Sequence, residues 1–298
     1  MDALLMEWLN LALRWTHVIV AIAWIGSSFY FNWLDSKMRA PQPPRPKIEG
    51  EAWLVHSGGF YRVERIQVAP NDLPAELHWF KWEAAATWIS GFALLILLYH
   101  LGGGAFLQDA PKGFSDLLGI AMLLAGLAVG WLIYDQVWAS KLGERPALAA
   151  AILFALLVAA IWLASPYLTG QALYLHVGAL LGTIMASNVW MRIVPAQRAL
   201  IAAAKAGGMP EARLGKEAKK RSLHNNYMTL PVVFIMLSTH FPSTWGSVWN
   251  WVILAGLMAV GAALRHAFNL RNRDRAFAWI LPLGAIAMVV LFYVARSG

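Results

Sequence analysis

The chain has 298 residues, of which 59% are hydrophobic and only 13% charged, where a soluble domain carries closer to a quarter charged. With no cysteine it forms no disulfide, Cys-ligated zinc site, iron–sulfur cluster or covalent CxxCH haem, which leaves His, Met, Asp and Glu as metal ligands. A net charge of +8 would suggest nucleic acid in a soluble protein, but here the basic residues fall between long apolar blocks, the pattern of a membrane protein.

Eight apolar segments follow in chain order: Trp8–Leu34, Trp79–Leu101, Leu117–Trp138, Pro146–Ala164, Ala172–Val194, Leu223–Phe241, Trp245–Phe268 and Phe277–Ala295. Each is near the roughly 20 residues that cross a hydrocarbon core. The first is too long for a signal peptide and lacks a cationic leader. The 16 tryptophans fit aromatic belts at the two interfaces. The fold class is therefore read as an all-α integral membrane protein of eight transmembrane helices, one polytopic domain over 1–298.

The connecting loops alternate in charge. The 35–78 loop holds Lys37, Arg39, Arg45, Lys47, Arg62 and Arg65, and the third-to-fourth loop Lys141 and Arg145. Arg192–Leu223 holds eight Lys/Arg, and the last loop Arg271, Arg273 and Arg275. The opposite side has only Lys112 and Arg296. The basic loops, 35–78 and 193–223, are thus predicted to be cytoplasmic, with both termini outside. The positive charge then reflects topology, and no nucleic acid is expected. Within the first loop, Trp53–His56 and Phe60–Val63 flank Ser57-Gly58-Gly59 and read as a short β-hairpin. Arg192–Leu223 reads as helical.

The two halves, about 1–165 and 166–298, share an order of matches. His17-Val18 precedes Ser28 as His176-Val177 precedes Ser187; Leu77-His78 matches Leu223-His224, and Leu124–Leu127 matches Leu254–Leu257. Four helices return the chain to its starting side, so the halves would be parallel four-helix repeats about an axis along the membrane normal.

Ionisable groups in hydrocarbon cost several kcal/mol and default to a functional hypothesis. His17 and His176 occupy matching places two turns inside their helices. They are expected to face one another across the axis as axial ligands of a non-covalent haem b, with Ala21, Ala23, Gly26, Gly178, Ala179 and Gly182 leaving room for the macrocycle. The alternative is a hydrogen bond from each ring to a neighbouring helix. Nearer the cytoplasm, His78, Glu83 and His224 are acid/base candidates. Trp79, Trp82, Asn225, Asn226, Tyr227, Asp135 and His266 are candidates to bind a substrate. The alternatives here are ion pairs: Glu83 with Lys81, Arg65 or Arg221, and Asp135 with Lys141.

The stretch Trp15–Tyr30, the hairpin His56-Ser57-Gly58-Gly59-Phe60-Tyr61 and His78-Trp79-Phe80-Lys81-Trp82-Glu83-Ala84 together resemble the membrane domain of bacterial membrane-bound urate oxidases (PuuD-type urate hydroxylases). The likeness runs over essentially the whole chain. It implies oxidation of urate to 5-hydroxyisourate in the bacterial inner membrane, with electrons passing through haem toward a cytochrome c on the periplasmic side. Members of that family typically carry a C-terminal cytochrome c domain. This sequence departs there, having no cysteine for one, so either the chain is truncated or a separate cytochrome serves. The first-helix motif also resembles haem-binding protoporphyrinogen oxidases, and parallel repeats would suit a urate or purine transporter.

Overall fold

The computed structural model describes residues 2–66, 74, 76–101, 107, 115–208 and 211–297; Lys112 lies outside them. Asp2 opens α1 (Ala3–Lys37) by accepting the amides of Leu4 and Leu5 at 2.8 and 3.1 Å, the N-cap role of a short carboxylate. The hairpin follows as β1 (Ile48–His56) and β2 (Gly59–Ile66), paired antiparallel with Trp53 opposite Arg62 and His56 opposite Gly59. Ser57 and Gly58 both have positive φ, 51° and 78°, as a two-residue turn matched to strand twist requires.

Helix α2 (Trp82–Ile96) begins three residues later than the apolar block and ends in a π-helical stretch, Leu97–Leu101. Then come α3 (Asp116–Ala139), α4 (Pro146–Ala164) and α5 (Gly170–Ser187). Helix α5 continues through a π-helical stretch, Asn188–Ile193, into α6 (Val194–Lys205). Pro195 explains that stretch: it lacks an N–H and its ring crowds the preceding turn, and the helix widens to accommodate it. The expected helical reading of the long basic loop holds for α6 and the start of α7 (Ala212–Ser238). The chain closes with α8 (Pro242–Trp245), α9 (Asn250–Asn272) and α10 (Ile280–Arg296).

Among the described residues, six helical stretches are long and apolar enough to cross a membrane: Ala3–Lys37, Trp82–Leu101, Leu117–Ala139, Pro146–Ala164, Gly170–Lys205 and Asn250–Asn272. Helix α10 is apolar but has 17 residues. Helix α7 carries many polar residues, yet it packs against α1, α5, α6 and α9. Its polar side chains face protein: Arg221, Asn225, Asn226 and Thr229 are all buried. Apolar side chains do the reverse, with Trp8, Trp15, Ile22, Phe292 and Tyr293 exposed. Large apolar patches outside and amides and guanidiniums inside suit a lipid surround.

Ion pairs gather the basic loops at one end. Lys37 meets Asp274 at 2.7 Å and Lys219 meets Asp35 at 2.8 Å, joining the ends of α1 and α9 to the start of α7. The Lys37 ammonium holds the Asp274 carboxyl below its usual range. Both chain termini lie at the opposite end, because α1 runs toward this hairpin end and α10 away from it. There the Tyr174 hydroxyl, on a fully buried ring, lies 2.9 Å from the carbonyls of Thr244 and Asn250. Gly170 completes the junction: a Cβ on it would stand 1.8 Å from the Trp245 carbonyl oxygen. Gly170→Ala is expected to destabilise the protein by about 1–3 kcal/mol, measured as a lower Tm in detergent.

Candidate functional site

The hairpin half of the bundle holds a buried polar layer. The last two turns of α3 supply Tyr134, Asp135 and Trp138, the π-helical stretch Asn188 and Arg192, and the start of α7 Arg221, His224 and Asn225. Asn188 donates from Nδ2 to the Tyr134 hydroxyl at 2.9 Å and to Asn225 Oδ1 at 2.8 Å. Asn225 in turn donates to the Met185 carbonyl at 2.9 Å. Tyr134 Oη lies 2.7 Å from His224 Nδ1. Since that oxygen already accepts from Asn188, its own proton is available to His224. Trp138 packs on the His224 ring, centroids 4.0 Å apart.

Asp135 does not pair with Lys141. It accepts from Arg192 through both oxygens, Nε at 2.9 Å and Nη2 closer, and from Arg221 Nη2 at 2.8 Å. Lys141 stands in a 3-10 turn beyond the end of α3, whereas both arginines lie on helices packed beside Asp135. Two guanidiniums against one carboxylate leave surplus positive charge. Three buried atoms of this group have no hydrogen-bond partner among the described residues: Arg221 Nη1, Trp138 Nε1 and Asn188 Oδ1. Such groups cost about 1–3 kcal/mol each when left unmatched. They form two donors and one acceptor beside a tyrosine–histidine pair. Arg192, with 45% of its side chain exposed, and half-buried His224 open the group to the hairpin end.

The next residue of α7 turns elsewhere. Asn226 Oδ1 accepts from Arg265 Nε at 2.8 Å and Asn269 Nδ2 at 3.1 Å, both on α9. Phe29 of α1 lies over Arg265, Cζ 3.7 Å from the ring centroid. On the outer side of the same pair of helices, Tyr227 Oη meets His266 Nδ1 at 2.6 Å.

The candidates of the second apolar block form a third group. His78 is exposed and packs edge-on to Phe80, which packs on Phe31. Lys81 Nζ sits 5.1, 5.2 and 5.4 Å from the rings of Trp79, Trp82 and Trp190, so these tryptophans hold a cation of the chain itself. Glu83 makes none of the three expected ion pairs among the described residues: Arg221 is taken by Asp135, Arg65 by Glu49, and Lys81 by the tryptophans. Its Oε2 is buried without a partner. Of the three acid/base candidates, His224 alone sits in a hydrogen-bonded network.

The profile of the family described as "Urate oxidase N-terminal" matches residues 3–296. The chain belongs to that family. No curated protein and no solved structure matches it.

Family membership relates the chain to urate oxidation and makes the haem expectation worth testing on the geometry. His17 Nδ1 lies 3.1 Å from the Thr87 carbonyl and 3.0 Å from Ser90 Oγ, its ring lodged against Gly91. His176 Nδ1 lies 2.6 Å from the Ala172 carbonyl of its own helix, its ring tilted against Tyr99. A ring nitrogen tied to a carbonyl is what orients a ligating imidazole. The two rings have different neighbours, however. His17 lies against Gly91 of α2, and His176 against the ring of Tyr99 in the π-helical stretch Leu97–Leu101. Nor are the two environments equivalent: the space beside Gly178 is filled by Ile235, while Gly26 and Gly182 stand open. His17 bonds a neighbouring helix, the alternative that sequence left open, whereas His176 bonds a carbonyl of its own helix.

For this member of the family, sequence reasoning missed Arg265 and Asn188, which lie inside apolar blocks, and Asn269, one residue beyond the seventh block. It counted Arg192 only as loop charge, and Arg221 as loop charge and a possible partner of Glu83. The available signal was Arg265 itself, an ionisable residue inside the seventh apolar block.

Proposed function

We propose that the protein is a membrane-bound urate-oxidising enzyme working at the polar layer around Tyr134, Asn188, Arg221 and His224. The observation that carries the reading is the family match over residues 3–296. The layer supports it chemically. Urate is a flat monoanion with several carbonyl and N–H groups, and this group offers a guanidinium N–H, an indole N–H and an amide oxygen, all unmatched. In the reaction, the urate monoanion and water give 5-hydroxyisourate, one proton and two electrons. Arg221 and Trp138 hold the anion. Tyr134 takes a proton from a ring nitrogen as it passes its own to His224 Nδ1. Water then adds at C5. The two electrons leave singly to a one-electron acceptor such as a cytochrome c.

In this reading eight helices cross the bacterial inner membrane as two halves of four, α7 and α10 completing the six apolar ones. The basic hairpin end faces the cytoplasm, where urate arises, and the termini face the periplasm. A haem b held by His17 and His176 belongs to this reading; a Soret band in the visible spectrum of the purified protein would support it, and a colourless protein would remove it.

Purified protein given urate and ferricytochrome c is expected to consume urate and reduce two cytochromes per urate, with no need for oxygen. Absence of urate loss with any one-electron acceptor overturns the reading. Urate uptake into proteoliposomes without oxidation would favour a transporter instead. Oxidation of protoporphyrinogen but not urate would favour an enzyme of that kind.

A further inference from the structure

A second buried cation stands on the other side of α7. Arg265 is 3% exposed, and Asn226 and Asn269 are 1% and 3% exposed. No carboxylate lies within ion-pair distance of Arg265 among the described residues, in contrast to Arg221 with Asp135. An unpaired guanidinium in an apolar interior is among the costlier things a fold can bury. The neighbouring amides do not neutralise it: one oxygen, Asn226 Oδ1, accepts from both Arg265 and Asn269. Arg265 Nη2, Asn226 Nδ2 and Asn269 Oδ1 are all buried without partners among the described residues. The cluster therefore presents one uncompensated positive charge, two unmatched donors, one unmatched acceptor and an aromatic face, that of half-buried Phe29.

From this we infer that Arg265, Asn226, Asn269 and Phe29 form a second anion site, separate from the reaction layer, for a planar heterocyclic monoanion bearing carbonyl oxygens and a ring N–H. The ligand's carbonyls accept from Arg265 Nη2 and Asn226 Nδ2, and its N–H donates to Asn269 Oδ1. Its charge offsets the guanidinium, and Phe29 swings from over the guanidinium to stack on the ligand. Chloride or phosphate would satisfy the charge and the donors but not the acceptor or the aromatic face. The site is distinct because Asn226 and His224 lie two residues apart on α7, about 200° around a helix of 3.6 residues per turn. A ligand on Arg265 thus cannot reach the Tyr134–His224 pair. The inference rests on the cluster's own unmatched groups, and urate serves as the probe because it has the stated chemistry.

Equilibrium dialysis of labelled urate against the full-length protein, with no electron acceptor present, tests it. Two urates per chain are expected in the wild type and one in both Arg265→Gln and Asn269→Leu, each variant checked for an unchanged elution profile. Asn269→Leu keeps the test valid if Arg265→Gln fails to fold. Equal stoichiometry in the wild type and both variants overturns the second site, and so does a wild type that holds no urate. Urate turnover on the same samples separates the two claims: turnover with one variant-insensitive site removes only this inference. Two sites without turnover remove only the oxidase reading.

Discussion

Asp135→Asn is expected to destabilise the protein by about 3–5 kcal/mol, the range for breaking a buried ion pair by removing one partner. Asp135 and Arg221 have side chains 5% and 4% exposed, so the substitution strands a guanidinium away from both water and counter-charge. Arg192→Gln makes the internal comparison. Arg192 is 45% exposed, water replaces much of what it loses, and Asp135 keeps Arg221; its effect is expected to stay near 1 kcal/mol or below. The double variant Asp135→Asn/Arg221→Met should recover most of the loss, because no charge is then left buried alone. Thermal unfolding in one detergent reads all three. A loss of under about 1 kcal/mol in Asp135→Asn would show that Arg221 does not depend on Asp135.

His224→Gln is expected to lower kcat for urate by on the order of 100-fold or more, the usual contribution of a positioned acid/base group. Glutamine keeps the size of the side chain and a hydrogen bond to Tyr134 but cannot take up a proton. Tyr134→Phe removes the hydroxyl through which the proton would pass, so it should lower kcat comparably, and the double variant should add little to either single one. Steady-state kinetics over a range of pH gives a further check: the wild type should lose activity as His224 becomes protonated, and that limb should vanish in His224→Gln. An unchanged kcat in His224→Gln would return the proton-accepting role to Glu83, whose Oε2 is buried without a partner.

Much of this was legible in the sequence, and the reasons are local. The hairpin follows from Ser57-Gly58, which only a tight turn with positive φ accommodates. The shared end of the basic loops follows from charge alternation, and the ion pairs of Lys37 and Lys219 bear it out. Helix α7 was found as a span from Leu223 to Phe241, yet its polar stripe kept it from the apolar set; a helix wrapped by other helices need not be apolar.

Partner choice was not legible. Asp135 had Lys141 six residues away, but took Arg192 and Arg221 from helices distant in sequence. His17 and His176 matched in sequence, and packing gave them different neighbours. Asn225 and Asn226 look alike on the page, and α7 sends one toward α5 and the other toward α9.

The sequence by itself determined the helices, their shared basic end, the hairpin and the family, because hydrophobic run length, turn residues and loop charge act within a few residues of chain. Which polar groups meet inside, and which guanidinium stays uncompensated, was decided only by tertiary structure. A helix's period sets the direction in which a side chain points, but only the packing of the other helices sets what it finds there.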